Sequence, residues 1–271
     1  MRALRRAWRL SLMLGLLLGG LATELLVFPW VGVARRRRIQ QGWSRWLLGA
    51  CGVRIESSSD VPPGACLLVA NHRSWLDIFV IAAVMPAQFV AKAEIRRWPL
   101  VGLLCALAGT HFIERHRRHA VRDVVGRLVT ALRDGHRVAV FPEGTTGDGA
   151  ALLRFHANLV QAAIDAPVPV VPVALRYLDA AGAASQAVLF VGQTTFGQSV
   201  WRVAAEPRTT VQLMLAPAVA PEPGATRHAL ARRAEAAIAE ALGLAGATPR
   251  PADDAADSRP APRSDRAAAP Q

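Results

Sequence analysis

The sequence is poor in the residues that carry metal, redox and nucleic-acid chemistry. Three cysteines, Cys51, Cys66 and Cys105, stand among apolar residues without CxxC or Cys/His spacing, which argues against a disulfide framework and against a zinc site. Only one tyrosine is present in 271 residues, so side chains that stack on bases are scarce. Lysine is almost absent too, since Lys92 is the only one. No metal or bound cofactor is implied.

Apolar residues and arginine are abundant instead. Hydrophobic residues make up 52% of the chain, which excludes a disordered protein and allows one sizeable core. Lysine and arginine total 32 against 20 acidic residues, and the net charge of +12 favours a polyanionic partner, either nucleic acid or an anionic lipid surface. The arginines cluster around an N-terminal apolar segment rather than alternating with aromatic residues in the folded part. Lipid is therefore favoured, and no nucleic-acid partner is expected.

The apolar segment runs from Leu10 to Val33 and, as a helix, would cover roughly 36 Å, which is enough to reach across a bilayer. A secretory signal peptide is the competing interpretation. Its apolar region is usually shorter and ends at a small-residue cleavage site, whereas this one ends in Pro29, Trp30 and a run of arginines. The sequence predicts a membrane anchor that is retained.

Two geometries fit this anchor. Basic residues flank it on both sides, namely Arg2, Arg5, Arg6 and Arg9 before it and Arg35, Arg36, Arg37 and Arg38 after it. The positive-inside rule would place both flanks on the cytoplasmic side, which a single straight span cannot satisfy. A bent hairpin in one leaflet satisfies it, and the acidic Glu24 and the helix-weakening Pro29 also favour a bend. A plain span with only the second flank inside stays open as the alternative.

The next residues have the pattern of an amphipathic helix. One face carries two tryptophans and three aliphatic residues: Ile39, Trp43, Trp46, Leu47 and Ala50. Tryptophan at this place favours the headgroup zone, although the face can instead pack on the following domain. We therefore divide the chain into an anchor with an interfacial helix over 1–52, a domain over 53–244 and a disordered, apolar-poor tail over 245–271.

Within the domain, short β-prone runs alternate with helical ones, which is typical of an α/β layer fold. The helical period is clearest around Val121 to Leu132, with Gly135 as a stop signal, and a last helix is expected over about Arg227 to Leu242. The expected strands are Leu67–Ala70, Phe89–Ala91, Phe112–Ile113, Val138–Phe141, Val168–Leu175, Val188–Val191 and Val211–Leu215.

A polar cluster from Asn71 to Asp77 follows the first of these strands, at the end of a sheet where α/β proteins bind ligands. If a helix begins near Ser74, Asp77 lies about one turn beyond His72. Its carboxylate can then hold the ring Nδ1 and leave Nε2 as a proton acceptor. The alternative is a structural histidine at the start of a helix.

A second cluster, Phe141 to Gly147, follows another strand. Gly144 lets the backbone approach a ligand closely, and loop N–H groups can hold an anion or a developing oxyanion. Glu143 can orient a substrate hydroxyl or a basic side chain. An ordinary glycine-rich turn is the alternative.

Four segments in this order resemble the motifs of the glycerolipid acyltransferase family. They are the HxxxxD motif at His72–Asp77, an arginine-bearing strand end at Phe112–Arg115, an FPEGTR-like motif at Phe141–Thr146 and a VPV-like strand at Val171–Leu175. The resemblance covers about Cys66 to Ala216. It implies an α/β fold with a mixed sheet flanked by helices, attached to an N-terminal membrane-embedded helical segment.

The resemblance also implies a reaction. A fatty acyl group passes from acyl-CoA or acyl carrier protein to a lysophospholipid hydroxyl, with 1-acyl-glycerol-3-phosphate as the favoured acceptor and phosphatidic acid as the product. His72 would be the base and Asp77 its orienting partner. The implied substrate-binding residues are Arg115, Glu143, Gly144, Thr145, Thr146, Lys92 and Arg73. The expected site of action is a bacterial inner membrane, with the domain on its cytoplasmic face.

One position departs from the family. Thr146 stands where the enzymes that act on glycerol phosphates usually carry arginine. The chain past Gly147 is similar to bacterial enzymes that acylate lyso-ornithine lipid, which is the alternative acceptor, and Arg154 can supply the missing charge. A lipid hydrolase and a non-catalytic lipid-binding protein are the alternatives of other classes. The apolar runs Ile78–Val84 and Val101–Leu107 can line an acyl channel or pack in the core.

Overall fold

The computed structural model describes residues 2–57, 61–114 and 118–244. The tail predicted over 245–271 and the predicted phosphate-contacting Arg115 lie outside these ranges.

The N-terminal segment forms a helical hairpin. Helix α1 covers Arg2–Leu26, a 3-10 turn covers Phe28–Trp30, and helix α2 covers Val33–Cys51. The indole Nε1 of Trp43 donates to the carbonyl of Leu16 at 2.8 Å, and a Cβ at Gly20 would lie 2.8 Å from the same nitrogen, so glycine allows the two helices to approach closely. By length and composition, residues 2–30 can cross a membrane, since they contain an 18-residue window with a mean hydropathy of 2.0.

The acidic residue of this segment faces protein. Glu24 is 9% exposed, and its carboxylate accepts a hydrogen bond from Gln40 on α2 at 3.4 Å. At the other end of α1, the guanidinium of Arg9 donates to the carbonyls of Glu206 and Pro207 in the domain. Helix α1 is therefore folded back on α2 and attached to the domain.

The prediction that α2 is an interfacial helix is wrong for most of its apolar face. Leu47 and Ala50 are buried, because α2 packs on helix α3 (Leu76–Val84). Polar side chains of α2 reinforce this contact, since Arg45 donates to the carbonyl of Ala83 at 2.9 Å. Trp46 alone keeps the predicted exposure, at 69%. The face that the periodicity identified belongs mainly to the domain core.

A mixed sheet forms the centre of the domain, with strand order β1-β7-β6-β2-β5-β3-β4 in the part of the chain that the structure covers. Neighbouring strands pair in parallel except β6 with β7. The strands are β1 Val53–Ser57, β2 Leu67–Ala70, β3 Gln88–Lys92, β4 His111–Ile113, β5 Val138–Val140, β6 Val170–Leu178 and β7 Thr209–Leu215. The predicted fold class, an α/β mixed sheet flanked by helices, is confirmed.

Helices cover both faces of this sheet. Leu68 and Ala70 of β2 face α2 and α3, whereas Leu67 and Val69 face helices α5 and α8. Because both faces are covered, the central strands are continuous apolar runs in the sequence. The remaining helices are α4 Val101–Leu107, α5 Arg118–Arg133, α6 Gln161–Asp165, α7 Phe196–Ala205 and α8 Arg227–Ala241.

Most predicted elements are present, with two errors among the strands. Val188–Val191 lies in the loop before α7, although Val188 itself is fully buried. Strand β1 was not predicted, because only Val53 in it is buried. Core packing is the correct interpretation of Ile78–Val84, where Val80 and Ile81 are fully buried.

Candidate active site

The turn between β2 and α3 brings His72 and Asp77 together. The ring Nδ1 of His72 lies 2.8 Å from Oδ2 of Asp77. Asp77 is fully buried in the first turn of α3, whereas the His72 side chain is 20% exposed. Because Nδ1 is engaged by the carboxylate, Nε2 is the ring nitrogen that can accept a proton.

The carboxylate of Asp77 is held by several donors besides the imidazole. Its Oδ2 accepts from the backbone N–H groups of Arg73 at 2.7 Å and Ser74 at 2.9 Å, and its Oδ1 accepts from the Tyr177 hydroxyl at 2.6 Å. Burial, followed by the Asp77 charge, raises the pKa of Tyr177 well above its usual range, so the hydroxyl stays a neutral donor. Donors of this kind stabilise an ionised, fixed carboxylate.

The imidazole is also held from its face. Phe141, the residue that follows β5, stacks on His72 with ring centroids 4.1 Å apart and planes inclined by 18°. This contact and the bond to Asp77 leave the ring little freedom to rotate. The first residue of the FPEGTR-like motif therefore has a local role of its own.

Glu143 was predicted to contact the substrate, but its side chain is hydrogen-bonded within the protein. It is 2% exposed, and its two oxygens accept from the backbone N–H groups of His72 at 2.6 Å and Leu153 at 2.9 Å. The carboxylate thus joins the β2–α3 turn to two parts of the β5–α6 connection, and neither of its oxygens faces outward. Burial raises the pKa of Glu143 to about 7, although the two N–H donors oppose this rise.

Two backbone N–H groups of the same motif loop donate hydrogen bonds to carbonyls of the protein. The Gly144 N–H donates to the carbonyl of Phe141 at 3.1 Å, with φ at +74°, and the Gly147 N–H donates to the carbonyl of His72 at 2.8 Å. Neither amide is therefore available as the oxyanion donor that the sequence suggested. Thr145 is half-buried beside them, and the Thr146 hydroxyl donates to the carbonyl of Phe190.

Arg73 closes the other side of the motif loop. Its Nη2 donates to the carbonyl of Asp148 at 2.6 Å, and a Cβ at Gly149 would lie 1.2 Å from its Nη1. Burial lowers the pKa of Arg73, while Asp77 and neighbouring carboxylates raise it. Arg73 thus packs against the loop. Its guanidinium, which was predicted to contact the substrate, is hydrogen-bonded to the Asp148 carbonyl instead.

Lys92 lies apart from this group. It is the exposed last residue of β3, which is separated from β2 by β5. Strand spacing puts the ends of β2 and β3 about 10 Å apart along the same edge of the sheet. The structure therefore joins the predicted residues His72, Arg73, Asp77, Glu143 and Thr146, and leaves Lys92 at the rim.

The sequence analysis assigned no role to two residues of the site. The buried Asn71 side chain bridges to β6, donating to the carbonyl of Leu175 at 3.0 Å and accepting from its N–H at 2.8 Å. Tyr177 lies two residues further along β6. The signal that could have found both is topological, because neighbouring parallel strands bring their carboxyl ends together.

The fold is a mixed α/β sheet that carries a histidine–aspartate pair at the carboxyl end of a central strand. A family model described as Acyltransferase matches residues 52–176. The lyso-ornithine lipid O-acyltransferase of Pseudomonas aeruginosa is 36% identical over 244 residues, covering 86% of this chain and 93% of the relative. The chain belongs to the acyltransferase family and is an enzyme of that class, as the sequence predicted.

Two further comparisons agree with this assignment. The 1-acyl-sn-glycerol-3-phosphate acyltransferase of Neisseria meningitidis is 39% identical over 173 residues, covering 62% of this chain and 67% of the relative. Among solved structures, the 1-acyl-sn-glycerophosphate acyltransferase PlsC of Thermotoga maritima matches with a TM-score of 0.56 and 22% identity, over 90% of this chain and 97% of that one. At that identity the likeness establishes the fold.

Proposed function

We propose that the chain transfers a fatty acyl group from a thioester to the hydroxyl of a lyso-lipid. The observation that carries the proposal is the His72 ring, held at Nδ1 by buried Asp77 and stacked on Phe141. Nε2 takes the proton of the acceptor hydroxyl while its oxygen attacks the thioester carbonyl. The carbon–sulfur bond then breaks, and the thiolate leaves with that proton as a thiol. The donor is acyl-CoA or acyl carrier protein, both of which present such a thioester.

Two observations favour lyso-ornithine lipid as the acceptor. The Pseudomonas relative named for that lipid matches over almost its whole length. In addition, position 146 supplies a hydroxyl that is already bonded to the Phe190 carbonyl, so it offers no cation to a phosphate. The order of candidates is thus the reverse of the one expected from the sequence.

1-Acyl-glycerol-3-phosphate is the second candidate, favoured by the Neisseria relative named for it. In this case Arg115 and Lys92 hold the phosphate, and Arg154 supplies the charge that Thr146 lacks. A guanidinium suits this role because it can form paired hydrogen bonds with a phosphate. The headgroup would then lie along the edge of the sheet between the ends of β2 and β4.

The exposed apolar surface supports a membrane location for this reaction. Among the described residues, every large hydrophobic side chain that is exposed belongs to the hairpin, to residues 100–107 or to Trp201. Trp30 in the hairpin turn is 86% exposed, and Leu103 on α4 is 46% exposed. Large exposed hydrophobic side chains that are concentrated in this way mark a membrane or protein interaction surface. In the proposed arrangement the hairpin lies in one leaflet of the inner membrane, and the domain is on the cytoplasmic face.

The test is a panel of acceptors with one acyl donor. Purified protein is incubated with radiolabelled acyl-CoA and, in parallel, with lyso-ornithine lipid, lysophosphatidic acid and a zwitterionic lysophospholipid. A labelled diacyl product is expected, formed fastest with lyso-ornithine lipid. Release of free fatty acid without any diacyl product would instead identify a hydrolase. Faster turnover of lysophosphatidic acid would reverse the proposed order of acceptors.

A further inference from the structure

The buried Asp77 has a second oxygen that the imidazole does not use. Oδ2 receives the ring and two backbone N–H groups, while Oδ1 receives the phenol of Tyr177 at 2.6 Å. We propose that Tyr177 is a positioning residue for the reaction, which fixes the Asp77 carboxylate and through it orients His72. This inference rests on the proposed role of His72 as the base.

The position of Tyr177 in the fold makes the contact rigid. It lies in β6, which pairs in parallel with β2 from Leu67 to Ala70, and its side chain is 2% exposed. The Asn71 bridge to Leu175 fastens the two strands together two residues before Tyr177. The phenol therefore meets the carboxylate from a strand that is itself hydrogen-bonded to β2, the strand that leads into His72.

The hydrogen bond from the Tyr177 phenol can keep the Asp77 carboxylate in one orientation. A carboxylate with two oxygens can rotate about its last bond and lose the ring unless both oxygens are held. A buried phenol supplies the missing donor without adding charge, and a hydrogen bond to an ionised group is among the stronger ones in proteins. Without this donor, the unprotonated pair loses more stabilisation than the protonated pair. Proton uptake by the pair then becomes easier.

The other charged or titratable groups near the two residues are few. Asp77 faces His72 and lies near the Arg73 guanidinium and near Glu143, whose pKa of about 7 means that its own charge changes around neutral pH. Tyr177 also lies near the thiol of Cys51 at the end of α2. Each of these groups stays in place when only the phenol oxygen is removed, so a Tyr177→Phe variant isolates one hydrogen bond.

The experiment compares Tyr177→Phe with His72→Ala and with a control, Ser44→Ala. Ser44 is also buried, and its hydroxyl donates to the Gln40 carbonyl within α2, away from the site. With saturating lyso-lipid and acyl-CoA, Tyr177→Phe should lower kcat about tenfold and leave KM within about twofold. The acid limb of its pH–rate profile should move up by about half a pH unit. Ser44→Ala should match wild type in all three respects.

A second measurement keeps the phenol at position 177, in case Tyr177→Phe does not fold. Because the chain has one tyrosine, growth on 3-fluorotyrosine labels position 177 alone. Its fluorine resonance should shift over the same pH range as the acid limb of the rate profile. A resonance that is flat across this range would overturn the inference.

The outcomes separate this inference from the proposed function. If His72→Ala is inactive but Tyr177→Phe has the wild-type kcat and acid limb, Tyr177 is only a packing residue. If His72→Ala keeps wild-type activity, the base assignment fails first, whatever Tyr177→Phe does.

Discussion

Replacing Glu143 with glutamine should change how the stability of the protein depends on pH. The carboxylate is almost fully buried, and burial raises its pKa from 4.5 to about 7 in the folded protein. The folded state therefore binds more protons than the unfolded state between these two values. The stability that this proton provides is fully present below about pH 4.5 and is lost as the pH rises through about 7.

The size of the effect follows from the two pKa values. At 1.36 kcal/mol per pH unit, the wild type should lose roughly 2–3 kcal/mol of unfolding free energy between pH 5 and pH 8 through this group. In a domain of this size that loss corresponds to roughly 5–10 °C in Tm. Glu143→Gln has no proton to lose at this position. Over the same pH range its Tm should therefore fall by roughly 5–10 °C less than the Tm of wild type.

Thermal unfolding in detergent, followed by tryptophan fluorescence at pH 5, 6, 7 and 8, measures this difference. Glu222→Gln is the matched control, because the Glu222 side chain is 74% exposed in a surface ion pair with Arg233. The control should run parallel to wild type, since surface pairs contribute little. Curves for wild type and Glu143→Gln that stay parallel from pH 5 to pH 8 would refute the reasoning.

Two further predictions use matched substitutions. Gly149→Ala and Gly182→Ala both place a side chain at positive φ, and each should lower the unfolding free energy by about 1 kcal/mol. Only at Gly149 does the added Cβ collide with the Arg73 guanidinium. Gly149→Ala alone should therefore also reduce the rate of acyl transfer, by about tenfold. Tm and initial rates separate the two, and equal rates would show that Arg73 need not be held. Trp30→Ser should weaken flotation with vesicles severalfold, whereas Arg232→Gln on α8 should not. An undiminished flotation of Trp30→Ser would remove the hairpin turn from the membrane surface.

The interior strands could be predicted from the sequence, because a strand buried on both faces is a run of apolar residues. Strand β2 is the clearest case, since all four of its residues are fully buried. The edge strand β1 is different, because exposed Arg54 and Glu56 interrupt its pattern. Val188–Val191 has the opposite problem, since a loop that covers the core is apolar for the same physical reason as a strand.

The site could be predicted where its contacts are local. Asp77 follows His72 by about one turn, so the spacing allowed a contact, and the resemblance of the four ordered motifs indicated that the pair is a site. Glu143 could not be assigned from spacing, because its partners, the N–H groups of His72 and Leu153, depend on how separate loops meet. Tyr177 is 100 residues from Asp77, and only the pairing of β6 with β2 brings it there.

The rate of diacyl product formation by His72→Ala tests the central claim most directly. His228→Ala is a suitable control, since that side chain is exposed on α8. The assay uses the best acceptor of the panel and one acyl-CoA. His72→Ala should be slower than wild type by a factor of about 10² to 10⁴, because it lacks the group that takes the hydroxyl proton. His228→Ala should have the wild-type rate. A His72→Ala rate equal to that of wild type would contradict the assignment of the base.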